Sequence, residues 1–341
     1  MMDMDRKQTT GETASPDFIN SYDNTAELVK KYTTEFPTTV CPGIGEKIEN
    51  RLLTGFENWN RGYDAWKAWG NILYTKDSIY NVHGARLTLA EYQQAMNATL
   101  SQVNIQMGAF HNMVICDNWV AIYYDITTIV QGHSIAGKVM EFVNFRDYGK
   151  DLGVRVVEGW GSTKDATCDS MCMFQQDAEK KLQHEMDEAL LKYVIPVTDN
   201  LKKKYPVANP TADHSDNAEL IRQAILENFD SWNQGGQAWP ADTDRFYTSN
   251  AAICGIGAAQ MNPGEYRDAV KKAAATINIQ KKHFNSFLIN GDWAAIHYRY
   301  VSEKCSTHEK ATGDAMQFFH FVKTEDGIRA DRAYTGCMDI V

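Results

Sequence analysis

Four titratable side chains in the first half of this chain stand where a related stretch of the second half holds other chemistry. His83, Tyr80, Glu141 and Glu158 correspond to Ile256, Ile253, Gln317 and Arg332. An imidazole titrates near neutrality and suits proton abstraction. A carboxyl buried among apolar groups has a raised pKa and can stay protonated as a donor. Tyrosine hydroxyls such as those of Tyr80 and Tyr124 can stabilise a developing oxyanion or a leaving hydroxyl. His111, directly after Phe110, is a further proton-transfer candidate whose strand face is ambiguous. Glu141 and Glu158 have a second reading, as a pair sharing a cation or an arginine such as Arg155.

These correspondences rest on a duplication. LTGFENWNRGYDAW at 53–66 returns as LENFDSWNQGGQAW at 226–239, 173 positions later. LysLysTyr at 30–32 and 203–205, Tyr74 and Tyr247, and GluTyr at 91–92 and 265–266 continue it in order. Tyr124 stays as Tyr298, and Trp160 stays aromatic as Tyr334. The repeat is domain-sized, so it signals two copies of one domain rather than a solenoid. The second copy keeps the packing residues at the compared positions and loses the titratable ones. The first unit is therefore expected to hold the active site and the second to be degenerate, a structural partner.

The composition allows two packed cores. Of 341 residues, 43% are hydrophobic, with 8 Trp, 16 Tyr and 14 Phe, which suits two ordinary domains. A net charge of −10 argues against nucleic acid and against an anionic membrane surface. The longest apolar runs fall short of a membrane span, and the first residues lack the apolar core of a secretory signal. The expectation is a soluble, cytoplasmic protein. Its 7 cysteines are scattered; only Cys168 and Cys172 lie close, and neither they nor any His/Asp/Glu set shows metal-ligand spacing.

The elements that must position the chemistry follow from periodicity. Residues 1–23 read as a disordered arm, 24–165 as the first domain, 166–212 as a helix and linker, and 213–341 as the second domain. The 3.6-residue period predicts helices over 24–36, 46–60 and, after Gly62, 63–69. Strand character follows at 72–82. Thr88 and Glu91 form a capping box for a helix over 88–101. Strands are expected at 106–115, 119–130, 138–146 and 154–161, and the second copy repeats the order from about 218. A charged amphipathic helix is expected at 175–193. On 119–130, alternation puts Val120, Ile122, Tyr124 and Ile126 on one face; on 154–161 it puts Val154, Val156, Glu158 and Trp160 together. Trp59, Trp66 and Trp69 read as core or rim residues.

LeuTyrThrLysAspSerIleTyr at 73–80, GlyAlaArgLeuThrLeuAlaGluTyr at 84–92, AspAsnTrpValAlaIle at 117–122 and ValArgValValGluGlyTrp at 154–160 resemble the SnoaL-like branch of the nuclear transport factor 2-like superfamily. The resemblance covers both units. It implies an α+β fold: two tandem cone-shaped barrels, each a curved antiparallel sheet wrapped round helices, with a small-molecule pocket inside. It also implies cofactor-independent acid/base chemistry, since the family contains ketosteroid isomerase, scytalone dehydratase and polyketide cyclases beside plain binding domains. By similarity to ketosteroid isomerase, Glu141 falls where an oxyanion-binding acid sits, and Val82-His83 falls at the catalytic base. The face ending in Trp160 then lines the pocket. The expected activity is a lyase, by dehydration or aldehyde release, acting on a hydroxylated aromatic or polycyclic molecule. An isomerase, a cyclase or a non-catalytic binding or assembly module is the alternative. His83, Glu141, Tyr80 and His111 are the expected catalytic set; Tyr124, Glu158, Trp160 and Trp66 are the expected substrate-binding set. The resemblance further implies that the cones pair through their outer sheet faces, a pseudo-dimer within one chain, with homo-oligomers possible.

Overall fold

A computed structural model of the chain describes residues 44–82, 85–149, 153–163, 217–255, 260–325 and 327–340. The expected helices at 24–36 and 175–193 lie outside these residues, as do Cys168, Cys172 and His83.

In the first unit, α1 (Gly45–Asn60) and α2 (Tyr63–Leu73) lead into β1 (Tyr74–Val82) and β2 (Ala85–Thr88). Helix α3 (Leu89–Leu100) and strands β3 (Asn104–Cys116), β4 (Trp119–Val130), β5 (His133–Asp147) and β6 (Val154–Thr163) follow. The second unit repeats the plan: α4 (Ala218–Asn233), α5 (Trp239–Phe246), β7 (Tyr247–Gly255), α6 (Pro263–Ala274), then β8 (Ile277–Asn290), β9 (Trp293–Lys304), β10 (Lys310–Thr324) and β11 (Gly327–Ile340). Strand β2, four residues long, is the one element in this order that periodicity does not signal; in the second unit its pairing is reduced to a single antiparallel bridge, Ile253 with Met261, where the first unit pairs Tyr80 with Leu87.

The sheets run β2-β1-β6-β5-β4-β3 and β7-β11-β10-β9-β8. Each is open and curved, not a closed barrel. Each is also mixed, because β1 pairs β6 and β7 pairs β11 in parallel. Where antiparallel sheets were expected, the parallel pair arises because the first strand is separated from the last by the whole unit and enters the sheet beside it.

Helix α1 lies on the concave face. Ile48, Leu52, Phe56 and Trp59 recur at helical spacing and are all buried in one core with Val120, Ile122, Tyr124 and Ile126. The repeated Asn explains itself here. Asn60 accepts from the Met107 N–H (2.7 Å) and donates to the Met107 carbonyl (3.1 Å). Asn233 does the same to Lys281 (2.7 and 2.9 Å). One amide thus replaces a missing ladder partner where β3 and β8 break register. Gly62 has φ 110°, and its N–H closes α1 onto the Trp59 carbonyl at 2.9 Å. The predicted capping box at Thr88 and Glu91 is present, and Asn262 with Glu265 builds its twin.

The convex faces meet. Val114, Cys116, Trp119, Ala121, Tyr123, Met140 and Phe142 form one apolar cluster with Leu288, Trp293, Ala295, Met316 and Phe318. Tyr123 lies against Phe318 and Tyr334; its counterpart His297 lies against Phe142 and Trp160. The same patch serves both units, as in an isologous two-fold interface.

Candidate functional site

In the first cone, β5 alternates cleanly: Val139, Val143 and Phe145 face the concave core and Met140 and Phe142 the interface. Glu141 shares the concave face. It borders a cavity of about 90 Å³ lined also by Trp59, Trp66, Tyr74, Tyr80, Tyr92 and Tyr124. The Tyr80 hydroxyl donates to Glu141 Oε1 at 2.5 Å, and the Tyr124 hydroxyl bonds the same carboxylate. Burial raises the Glu141 pKa; the two phenolic donors hold that rise back. Burial, followed by the adjacent Glu141, puts Tyr80 and Tyr124 well above the usual phenol value, so both remain neutral donors.

Room for Tyr80 comes from β6. A Cβ on Gly161 would sit 2.6 Å from the Tyr80 hydroxyl, and one on Gly159 would sit 2.8 Å from its ring. The ring stacks on Tyr92, centroids 4.4 Å apart, and Trp66 meets Tyr92 edge-on at 5.7 Å. Tyr80, Glu141, Tyr124 and Trp66 are thus brought together. Tyr74 and Tyr92 complete the cup; their repetition as Tyr247 and Tyr266 was the available signal.

Three expected site residues lie elsewhere. Trp160 and Glu158 do not face the cone, because β6 carries a bulge. Asn144 pairs Glu158 while Phe145 pairs Val156, leaving Val157 extra. One extra residue reverses the alternation. Val154 and Val156 point inward, but beyond the bulge the inward positions are Gly159 and Gly161. Trp160 stacks on Trp119 at the interface (5.5 Å), and Glu158 accepts from Asn81 Nδ2 at 3.0 Å. Glu141 and Glu158 are therefore on opposite faces and cannot share a cation, while Arg155 donates to the carbonyls of Asn71 and Tyr74. His111 is itself the extra residue where β3 shifts register between Phe110 and Asn112. Its Nε2 lies 2.7 Å from Asp125 Oδ1 and 2.9 Å from Lys138 Nζ, on the Tyr123 side of the sheet.

The second cone opens into a cavity of about 740 Å³. Three exchanges account for the difference. In the first cone Trp69 covers Gly55 so closely that a Cβ there would lie 2.0 Å from its ring, and Met107 lines the wall. The corresponding positions hold Asp242, Asn228 and Lys281. Asn228 donates to Asp242 Oδ2 (2.5 Å) and accepts from Lys281 Nζ (3.0 Å); Arg245 donates to Asp242 Oδ1 (2.9 Å). Losing the indole of Trp69 opens the cone, and the polar trio occupies its floor. The expectation of a degenerate second cone compared only His83, Tyr80, Glu141 and Glu158, and so passed over these positions.

Among the described residues, no three His, Cys, Asp or Glu side chains gather to hold a metal, and no helix is long and apolar enough to cross a membrane.

No family model matches the sequence, and no curated protein matches it. Solved structures are similar in fold. A ketosteroid isomerase-like protein from Erwinia carotovora atroseptica is 15% identical with a TM-score of 0.30, covering 38% of this chain and 99% of its own. A nuclear transport factor 2-like protein with a cystatin-like fold from Novosphingobium aromaticivorans is 16% identical (TM-score 0.29; 36% and 81%). A putative polyketide cyclase from Acidithiobacillus ferrooxidans is 9% identical (TM-score 0.29; 34% and 86%). Within this chain itself, one plan of element order and strand pairing is present twice.

Proposed function

We propose that the chain is a cofactor-independent acid/base enzyme, a lyase or isomerase, whose chemistry takes place in the first cone. One observation carries this reading: a carboxyl with raised pKa, gripped by two neutral phenols, borders an otherwise apolar cavity. Such a cluster stabilises negative charge developing on a substrate oxygen and can protonate a departing one. Val82 lines the cup, and His83, outside the described residues, follows it in sequence; it is our choice for the base that removes a C–H proton. In a dehydration, the electron pair of that C–H bond forms the new double bond. The C–O bond breaks, and hydroxide leaves as water with the Glu141 proton. Glu141, as its conjugate base, then recovers a proton from the base through the cup.

Size revises the substrate. About 90 Å³ is below the roughly 150 Å³ that takes up benzene. The cup is small for the aromatic or polycyclic body expected from the resemblance, and our reading is of a compact hydroxylated carbonyl compound. The same reading places the enzyme in the cytoplasm, where thiols such as Cys116 and Cys254 stay reduced. A second reading, a non-catalytic binding module, is favoured by the larger space in the cone that carries Gln317 in place of Glu141.

The test is turnover of short hydroxy-carbonyl compounds by the full chain and by Tyr80→Phe, Glu141→Gln and His83→Ala. Losses of about 10²–10⁴-fold are expected. Unchanged turnover in both Tyr80→Phe and Glu141→Gln would overturn the proposal.

A further inference from the structure

We infer that the second cone is a separate binding site for a flat aromatic acid carrying a hydroxyl at the end remote from its carboxylate. Volume comes first. About 740 Å³ lies within the 300–1,000 Å³ typical of small-molecule sites, roughly eight times the first cone. The walls are aromatic and aliphatic: Trp232, Tyr247, Tyr266, Tyr298 and Phe319 all border the space. They suit a planar apolar body.

Two polar anchors stand apart on these walls. One is Lys281, 5% exposed. Its ammonium donates to the Asn228 oxygen at 3.0 Å, feels the Asp242 carboxylate that the same amide bonds, and lies over the rings of Phe229, Trp232 and Tyr298 at 4.6, 4.7 and 5.2 Å. Three rings favour the charged form, which donates to a carboxylate. The other anchor is Gln317, 8% exposed. Its Nε2 donates to Thr335 Oγ1 at 2.9 Å, while its buried Oε1 has no hydrogen-bond partner. A buried amide oxygen left unmatched is costly, and Gln317 lines the cavity, so turning its amide toward an occupant's hydroxyl would satisfy it. The first cone has no such vacancy, because Tyr80 and Tyr124 both bond Glu141.

The register separates the anchors. On β9, Tyr300 pairs Lys281 and Ile296 pairs Gln317. Four residues along the strand and two strand spacings across it put the two backbones on the order of 16 Å apart, a gap that the two inward side chains shorten. The gap suits a fused two-ring body with a carboxylate at one end and a hydroxyl at the other.

Three fluorescent probes test each anchor on the full chain: 6-hydroxy-2-naphthoate, 2-naphthoate, which lacks the hydroxyl, and 2-naphthol, which lacks the carboxylate. The first is expected to bind at one site per chain, about tenfold more tightly than either of the others. Gln317→Leu should erase the preference over 2-naphthoate alone, and Lys281→Met the preference over 2-naphthol alone. Ala315→Trp, which fills the cavity and leaves both anchors in place, should abolish binding and keeps the test decisive should Lys281→Met fail to fold. Equal affinities for the three probes, or undiminished binding to Ala315→Trp, would overturn the inference.

Discussion

At the scale of single residues, the two cones solve one problem in opposite ways. A polar side chain on the middle strand of each sheet needs a hydroxyl partner. In the first cone Tyr80 supplies it to Glu141, and Gly161 must be bare to admit the phenol. In the second, Thr335 occupies the position of Gly161 and serves Gln317, and Ile253 replaces the phenol. Gly161→Ala is therefore predicted to push the Tyr80 hydroxyl off Glu141. The expected cost is about 1–3 kcal/mol by urea unfolding, with turnover reduced as far as in Tyr80→Phe. A pH dependence belongs here too. Because burial raises the Glu141 pKa, the unfolded chain loses this proton near the ordinary value of about 4.3 while the folded protein keeps it. Stability from this group is complete below that value and is lost as pH rises through the raised folded pKa. Unfolding free energy measured across that window should fall with pH in the native protein, and this component should vanish in Glu141→Gln. A window slope identical in the two proteins would show that Glu141 does not titrate as described.

At the scale of elements, the described helices, the Thr88–Glu91 capping box and the inward run of β4 were legible because each is a local pattern. Ile48, Leu52, Phe56 and Trp59 point where a 3.6-residue repeat sends them, and Tyr124 sits where a two-residue repeat puts it. What sequence could not show is where the period slips. Val157 in β6 and Asp331 in β11 are extra residues facing continuous partners, and no composition distinguishes them from their neighbours. That single insertion is why Trp160 and Glu158 were expected in the cone and lie outside it. Paired differences between the copies were legible in principle: Gly55 with Trp69 against Asn228 with Asp242 is a small–large exchange readable only once the two positions are known to touch. Their contact makes a prediction. Gly55→Ala should destabilise the fold by about 1–3 kcal/mol, because the indole wall 2.0 Å away is rigid. Adding Trp69→Leu should recover part of that loss, a coupling of at least about 0.5 kcal/mol in a double-mutant cycle. Strict additivity would show that the helix shifts rather than the ring.

At the scale of the whole molecule, the two cones share a central apolar layer while keeping their cavities on opposite, concave sides. Charge placement follows the same pseudo-symmetry with its signs exchanged. Asp125 on β4 bonds Lys138 on β5 at 2.6 Å, and the same positions in the second unit hold Arg299 and Asp314, 3.0 Å apart. Burial works to raise Asp314, but hydrogen bonds from His297 and Arg299 bring it below the usual carboxylate range. The pair survived a reversal of polarity, so its geometry matters more than its sign. The layer itself is anchored by Phe142 and Phe318, both 0% exposed, with ring centroids 6.2 Å apart. Cys116 Sγ donates across it to the Ile289 carbonyl, and Asn290 Nδ2 to the Ile115 carbonyl, each at 2.8 Å. An interface of core-like packing ties the stability of one unit to that of the other. Calorimetry of the native chain should accordingly show one cooperative transition. Phe142→Ala and Phe318→Ala should each cost about 3–5 kcal/mol. Their double-mutant cycle should return a coupling of about 0.5–1.5 kcal/mol, and the double variant should unfold in two separated steps. Two transitions in the native protein, or a coupling of zero, would mean that the units fold as neighbours rather than as halves of one body.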